Sequence, residues 1–510
     1  MIDEKSVEWA IEFISKKSDG DLFPKILEFE VINQRKKEFA KSICSKDLDS
    51  INIGAHRRFI VPKETTAFRQ ATQLDPQDSI ILTSVIYQYG NQIEKRRLPT
   101  SQVFSYRFSP NVNDGLYLEK DMWDKFWNKA KLKSCGKTIV YCDIADFYNQ
   151  IYHHIIENQL EESGFPFKEI KWIKKLLNST TANVSRGLPI GPHPIHLLAE
   201  MSLIPIDNSL KSKGYDFIRY VDDILFFCED DAEANIILLD VASVLDKQHR
   251  LMLQKHKTKI YNEKDFEKLC NTMIENRPIN DTEKELLGIV NKYSGGDPYM
   301  SVFFNSISAE DWNKISEDAI ASIIEEYLNQ NEIDFVRLRW LYRRLAQIGH
   351  PGAINVTFNN FKELTPCFAN ICTYLSSVQN IYSKEWKNIG TKIIDLLNTK
   401  MVLINPYYTL QLLSLFTKNE YINHFSSLSK IYSTSEAFAK REILLAAKIN
   451  KTYDWLREHK EDYINMESWQ KSAFIYGLSG LPRDERKFFI NSQRADNVYI
   501  ETLFDYVKNQ

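Results

Sequence analysis

Two short apolar runs, each delivering aspartate, constrain this chain more than any other feature. Thr138-Ile139-Val140-Tyr141-Cys142-Asp143 reads as a β-strand that ends on a carboxylate. Phe217-Ile218-Arg219-Tyr220-Val221-Asp222-Asp223-Ile224-Leu225-Phe226-Phe227 reads as a hairpin with two adjacent carboxylates at its turn. Paired strands lie about 4.8 Å apart, so pairing these segments brings Asp143 and Asp222 within reach of one ligand. Neighbouring carboxylates repel by about 1 kcal/mol at 4 Å in water and about 4 kcal/mol at an effective dielectric of 20. A cluster of three is therefore expected where hard cations relieve it. Two divalent ions held about 3.5 to 4 Å apart suit in-line phosphoryl displacement. A lone Asp-Asp pair is usually an ordinary solvated turn; the third carboxylate turns the reading toward a metal site.

The rest of the sequence limits the setting. Of 510 residues, 43% are hydrophobic and 26% charged, which excludes a disordered chain and leaves room for at least two domains. Lys and Arg number 65 against 68 Asp and Glu, so there is no overall basic field and any polyanion site is local. Seven cysteines without a CxxC pair argue against a disulfide framework or zinc ribbon and point to a reducing interior. Asp3, Glu4, Glu8 and Glu12 interrupt the N-terminal apolar residues as no signal peptide allows. No run approaches the roughly 20 apolar residues of a membrane span. A cytoplasmic protein with no membrane partner is expected.

Val7, Ala10, Ile11 and Ile14 recur at helical spacing over 7–17, and Ser18-Asp19-Gly20-Asp21 ends the pattern. From about 55 to 260 the text is α+β. Turn formers concentrate at Lys292-Tyr293-Ser294-Gly295-Gly296-Asp297-Pro298, and beyond them long amphipathic stretches dominate. A boundary between 275 and 298 is expected, dividing 1–285 from an all-α unit over 286–510. Within the second unit, Arg337-Leu338-Arg339-Trp340-Leu341-Tyr342-Arg343-Arg344 sets four guanidinium groups beside aromatic rings. That pattern suits phosphate and base contacts, although a solvated helix face is the commoner meaning. His153 and His154, adjacent on a helix, point apart and are expected to be structural.

Between the acidic segments lies Ser185-Arg186-Gly187-Leu188-Pro189-Ile190-Gly191-Pro192-His193-Pro194, followed by helical spacing from Ile195 to Leu203. Glycines there permit close backbone approach, and a helix start can face a phosphate.

In this order and spacing the segments resemble the palm of reverse transcriptases: motif A at Asp143, motif B over 187–200 and the motif C tetrad Tyr220-Val221-Asp222-Asp223. The likeness covers roughly 20–270. Leu251-Met252-Leu253-Gln254-Lys255-His256-Lys257-Thr258 is similar to motif D, and Arg57-Arg58-Phe59-Ile60-Val61-Pro62-Lys63 with Arg69 resembles the fingers. The resemblance implies two Mg²⁺ ions on Asp143, the Ile144 carbonyl, Asp222 and Asp223. It implies dNTP contacts from Lys63, Arg69, Lys257 and a steric-gate Tyr148, and a motif B loop built on Gly187, Pro189 and Gly191.

Ile190 and Ile195 stand where retroelement enzymes usually carry Gln and Ser. With the helical tail, and with no RNase H or integrase pattern, the chain is most similar to the abortive-infection (Abi) group of bacterial reverse transcriptases, related to AbiK. That likeness implies a phage-defence polymerase that makes single-stranded DNA without a template, starting on a hydroxyl of its own chain so that the product is covalently attached. It also implies a homo-oligomer with a HEAT-like C-terminal domain. Ser15 and Ser18 are the candidate priming hydroxyls; either also fits a helix cap. Two alternatives share these residues: a templated RNA-dependent DNA polymerase, and an idle scaffold that senses a phage factor.

Overall fold

Side-chain alternation along one four-stranded sheet divides the interior in two. The computed structural model describes residues 2–18, 22–113, 115–118, 122–274, 278–295, 302–422 and 424–510. Its antiparallel palm sheet has the order Phe217–Tyr220, Asp223–Cys228, Thr138–Asp143 and Lys259–Tyr261. Successive strand residues point to opposite faces. Val140, Cys142, Ile224 and Phe226 accordingly join the main core, against Ala234, Ile237 and Val241 of helix Asp231–His249. Ile139, Leu225, Phe227 and Ile218 face a second cluster with Phe126 and Trp127 of helix Met122–Lys133 and Phe266 of helix Glu263–Ile274. Burying each such side chain contributes roughly 1.5–3 kcal/mol, which holds the sheet between helical layers.

The N-terminal helix spans Glu4–Lys17, where the periodicity of the sequence expects it. Asp3 caps it by accepting from Ser6 N–H at 2.7 Å, and Val7, Ala10, Ile11 and Ile14 form its buried stripe. Its expected stop continues into 19–21, outside the described residues. A two-stranded hairpin, Arg57–Pro62 with Phe68–Gln73, follows, and helix Pro76–Glu94 runs through the core behind it.

Beyond Tyr261 the described residues form helices and turns without a further strand. Parts of the expected boundary, 275–277 and 296–298, lie outside the described residues. The apolar cluster that includes Val7 also includes Val507. The last helix, Val498–Asn509, returns to pack on Phe29–Gln34 and Lys36–Cys44. Arg441 ties the ends together, donating to buried Glu28 at 2.7 Å. No helix among the described residues is long and apolar enough to cross a membrane.

Candidate active site

The two acidic strands pair as their sequences anticipate. Thr138–Asp143 lies antiparallel to Asp223–Cys228 in a register that sets Asp143 opposite Asp223. Tyr220 pairs with Asp223, so Val221 and Asp222 form a two-residue hairpin turn. The first turn residue has φ +53°, a left-handed conformation that a β-branched side chain resists. Residues held this way cost about 1–3 kcal/mol and persist only where their surroundings enforce them.

A buried polar network enforces this one. Ser105 Oγ accepts from Val221 N–H at 2.8 Å, and Arg219 Nη1 donates to the Val221 carbonyl at 2.9 Å. Arg219 also donates to both Asp207 oxygens, at 2.8 and 2.6 Å, and lies 3.1 Å from Glu200. Glu200 accepts from Arg97 at 2.7 Å and from Ser105 Oγ. Burial would lift Glu200, yet Arg219 and Arg97 hold it below the usual carboxylate range. Burial outweighs Arg219 at Asp207, which stays raised. Sequence reasoning missed this network; its one visible signal is a guanidinium inside the apolar strand Phe217-Ile218-Arg219-Tyr220.

The carboxylates are mutually repulsive. Burial, then the charge of Asp143, pushes Asp222 up to about 6. Burial, then Asp222, pushes Asp223 up to about 7, against a stabilising 2.8 Å hydrogen bond from the Tyr141 hydroxyl. Lys257 Nζ donates to Asp143 Oδ2 at 2.6 Å. Burial disfavours this ammonium, but the hydrogen bond and charge of Asp143 raise its pKa, so it stays charged at neutral pH. The backbone of motif D secures the same corner: Gln254 N–H donates to the Asp143 carbonyl at 2.7 Å, and Ile144 bridges to Leu253.

These oxygen donors fit a hard divalent ion, because their repulsion is the kind that added positive charge removes. Among the described residues, however, no three His, Cys, Asp or Glu side chains already form a cage. Lys257 supplies the neutralising charge instead.

The other sequence candidates surround this corner. Tyr148 is half-buried, its hydroxyl 2.6 Å from His196 Nδ1, and the His196 ring stacks on Tyr106 at 4.2 Å. The 187–191 loop is tied to it by a Leu188 N–H bond to the Tyr148 carbonyl at 2.9 Å. His153, structural as expected, places Nε2 2.8 Å from the Gly187 carbonyl. Pro189 is buried in that loop. Gly191, at φ +137°, passes so close to the fingers that a Cβ would lie 2.6 Å from the Thr72 carbonyl oxygen. Burial lowers Lys63 first, and the charges of Lys257 and Arg69 lower it further, against Glu64 and Asp222, which raise it. Arg69, lowered first by burial, feels Arg339 next. Ser15 Oγ is enclosed without a hydrogen-bond partner, and Ser18 sits half-buried at the end of its helix.

Residues 62–290 match the family described as Reverse transcriptase (RNA-dependent DNA polymerase). The chain contains a reverse transcriptase domain. All three aspartates and Lys257 fall within the matched span. A reverse transcriptase domain supports a polymerase of nucleotidyltransferase type, a class that generally uses Mg²⁺ and acts on nucleotides. Among solved structures, telomerase from Candida albicans in complex with the TWJ fragment of telomeric RNA aligns over 72% of this chain and 69% of its own. Identity is 11% and the TM-score 0.30. No curated protein matches the chain.

Proposed function

We propose that this chain is a phage-defence DNA polymerase that adds dNTPs without a template, beginning on a hydroxyl of its own chain. The observation that carries the reading is the pairing of Asp143 with Asp223 beside the Asp222 turn, with Lys63 and Lys257 in electrostatic reach. Asp143, Asp222, Asp223 and the Ile144 carbonyl would hold two Mg²⁺ ions, which supply acidity to an attacking hydroxyl and charge to the departing pyrophosphate. Lys63 and Arg69 grip the incoming triphosphate. Tyr148, braced by His196, lies beneath the sugar and excludes a ribose 2′-hydroxyl. Lys257, now on Asp143 Oδ2, supports the triphosphate or the departing pyrophosphate. The backbone of Gly187, Pro189 and Gly191 supports the nascent end.

The departures at Ile190 and Ile195 support the template-free form. Ile195 is fully buried, and Ile190 presents its backbone carbonyl to Thr72 N–H at 2.7 Å. Ser15 or Ser18 is the proposed primer, and each requires the N-terminal helix to shift. The reading includes a division at 285/286, a HEAT-like helical second unit, a homo-oligomer and a bacterial cytoplasmic setting.

Purified protein incubated with Mg²⁺ and labelled dNTPs, without nucleic acid, tests it. Protein-linked DNA of unconstrained sequence is expected. Product that forms only with an added strand and copies it establishes the templated alternative. Phage protection that survives Asp222→Asn establishes the scaffold.

A further inference from the structure

A two-stranded hairpin is at best marginally stable by itself, yet Lys63 and Arg69 sit on one. Its inner side is fastened to the palm: Thr72 N–H donates to the Ile190 carbonyl at 2.7 Å, next to the close approach of Gly191. Its tip closes on itself through Lys63 N–H and the Ala67 carbonyl at 2.8 Å. The first strand is an outer edge, where unpaired carbonyls ordinarily meet water or another strand.

Here three side chains from the helical region meet carbonyls on that strand, at Ile60, and just beyond its two ends, at Ala55 and Lys63. Arg339 Nη1, on helix Phe335–Ile348, donates to the Lys63 carbonyl at 2.9 Å. Asn405 Nδ2, at the cap of helix Pro406–Leu415, donates to the Ile60 carbonyl at 3.1 Å. Trp469 Nε1, on helix Ser468–Leu478, donates to the Ala55 carbonyl at 2.6 Å. Apolar packing runs between the polar contacts. Phe59 lies 5.9 Å from the Phe438 ring and 6.3 Å from Tyr407, and the Arg57 guanidinium covers Trp469 at 4.1 Å. Arg339 thus departs from a purely solvated helix face, while Trp340 beside it stays exposed under Arg343 and Arg344.

We propose that Arg339, with Asn405 and Trp469, is a positioning residue for nucleotide binding: the helical region latches the outer edge of the fingers hairpin and presets Lys63 and Arg69 over the palm carboxylates. The inference rests on the polymerase reading. It assigns the helical region a task within the catalytic cycle, lowering the ordering cost of triphosphate binding.

The test uses the full chain with Mg²⁺ and dNTPs, and amide hydrogen exchange over 57–73. Arg339→Ala is expected to raise KM for dNTP about fivefold with kcat within about twofold, and to speed exchange in the hairpin about tenfold. Arg339→Lys, which keeps a donor, is expected to recover part of both effects. Arg494→Ala, on a remote exposed site, is expected to change neither. Unchanged KM in Arg339→Ala overturns the proposal, as does a loss confined to kcat. Should the wild-type chain incorporate no nucleotide, the polymerase reading fails separately. The exchange arm then still judges the latch, and equal rates in wild type and Arg339→Ala overturn it.

Discussion

Asp143 and Asp223 face each other across adjacent antiparallel strands, and each has acquired its own stand-in partner: Lys257 on Asp143 and the Tyr141 hydroxyl on Asp223. The pairing shows what burial of three carboxylates demands. Each needs a donor or a positive charge, and a nucleotide with its cations would replace those donors.

Neutralising one of the three separates activity from stability. Asp222→Asn removes a charge that burial and Asp143 already disfavour, so its melting temperature is expected to equal or exceed that of the wild type. Nucleotide incorporation is expected to fall by roughly a thousandfold or more, because a site for phosphoryl transfer works mainly by placing positive charge. Calorimetry beside a single-nucleotide incorporation assay reads both.

Arg219→Met is expected to behave in the opposite way. It leaves Asp207 buried without its cation, leaves Glu200 to Arg97 alone and frees the Val221 turn, and breaking such a buried pair costs about 3–5 kcal/mol. Urea unfolding should show a lower midpoint and an unfolding free energy reduced by that amount, with loss of activity following loss of fold.

Tyr148 offers a test of sugar choice. Its ring is braced through the hydroxyl contact to His196, so Tyr148→Phe frees the ring while keeping its bulk and Tyr148→Val removes the bulk. Competition between dNTP and rNTP is expected to shift toward ribonucleotides by about tenfold or more in Tyr148→Val and much less in Tyr148→Phe.

Acid stability follows from two buried imidazoles. Burial pulls His350 down to about 4, against a backbone bond at Ile315, while its Nδ1 accepts from Gly352 N–H at 3.0 Å. Burial likewise pulls His249 down to about 4, helped by the charge of His154. Both folded pKa values lie below the ordinary 6.5. Their stabilisation is therefore complete above about pH 6.5 and is lost as pH falls toward 4, on the order of 3 kcal/mol each. Melting temperature against pH checks this: His350→Gln should start lower at pH 7.5 and decline less steeply below pH 6.5.

Much of the site was legible in the order of residues. The apolar runs of Thr138–Asp143 and Phe217–Phe227 announce strands, and their carboxylates announce a site. Local geometry suffices for that, because strand and helix periods follow from backbone dihedrals alone. Gly191 was legible as a glycine of close approach, but its partner, the Thr72 carbonyl, was not.

The chain's own order determined which segments become the palm strands and that Asp143, Asp222 and Asp223 stand at the strand ends and turn. Tertiary structure alone decided what enforces the Val221 turn and what holds the fingers. Arg339 meets Lys63 across 276 positions, Asn405 meets Ile60 across 345, and Trp469 meets Ala55 across 414. Such partners leave no periodic trace, because a donor at a helix surface can serve any carbonyl that packing brings near. Only the folded core, shared between both ends of the chain, selects which one.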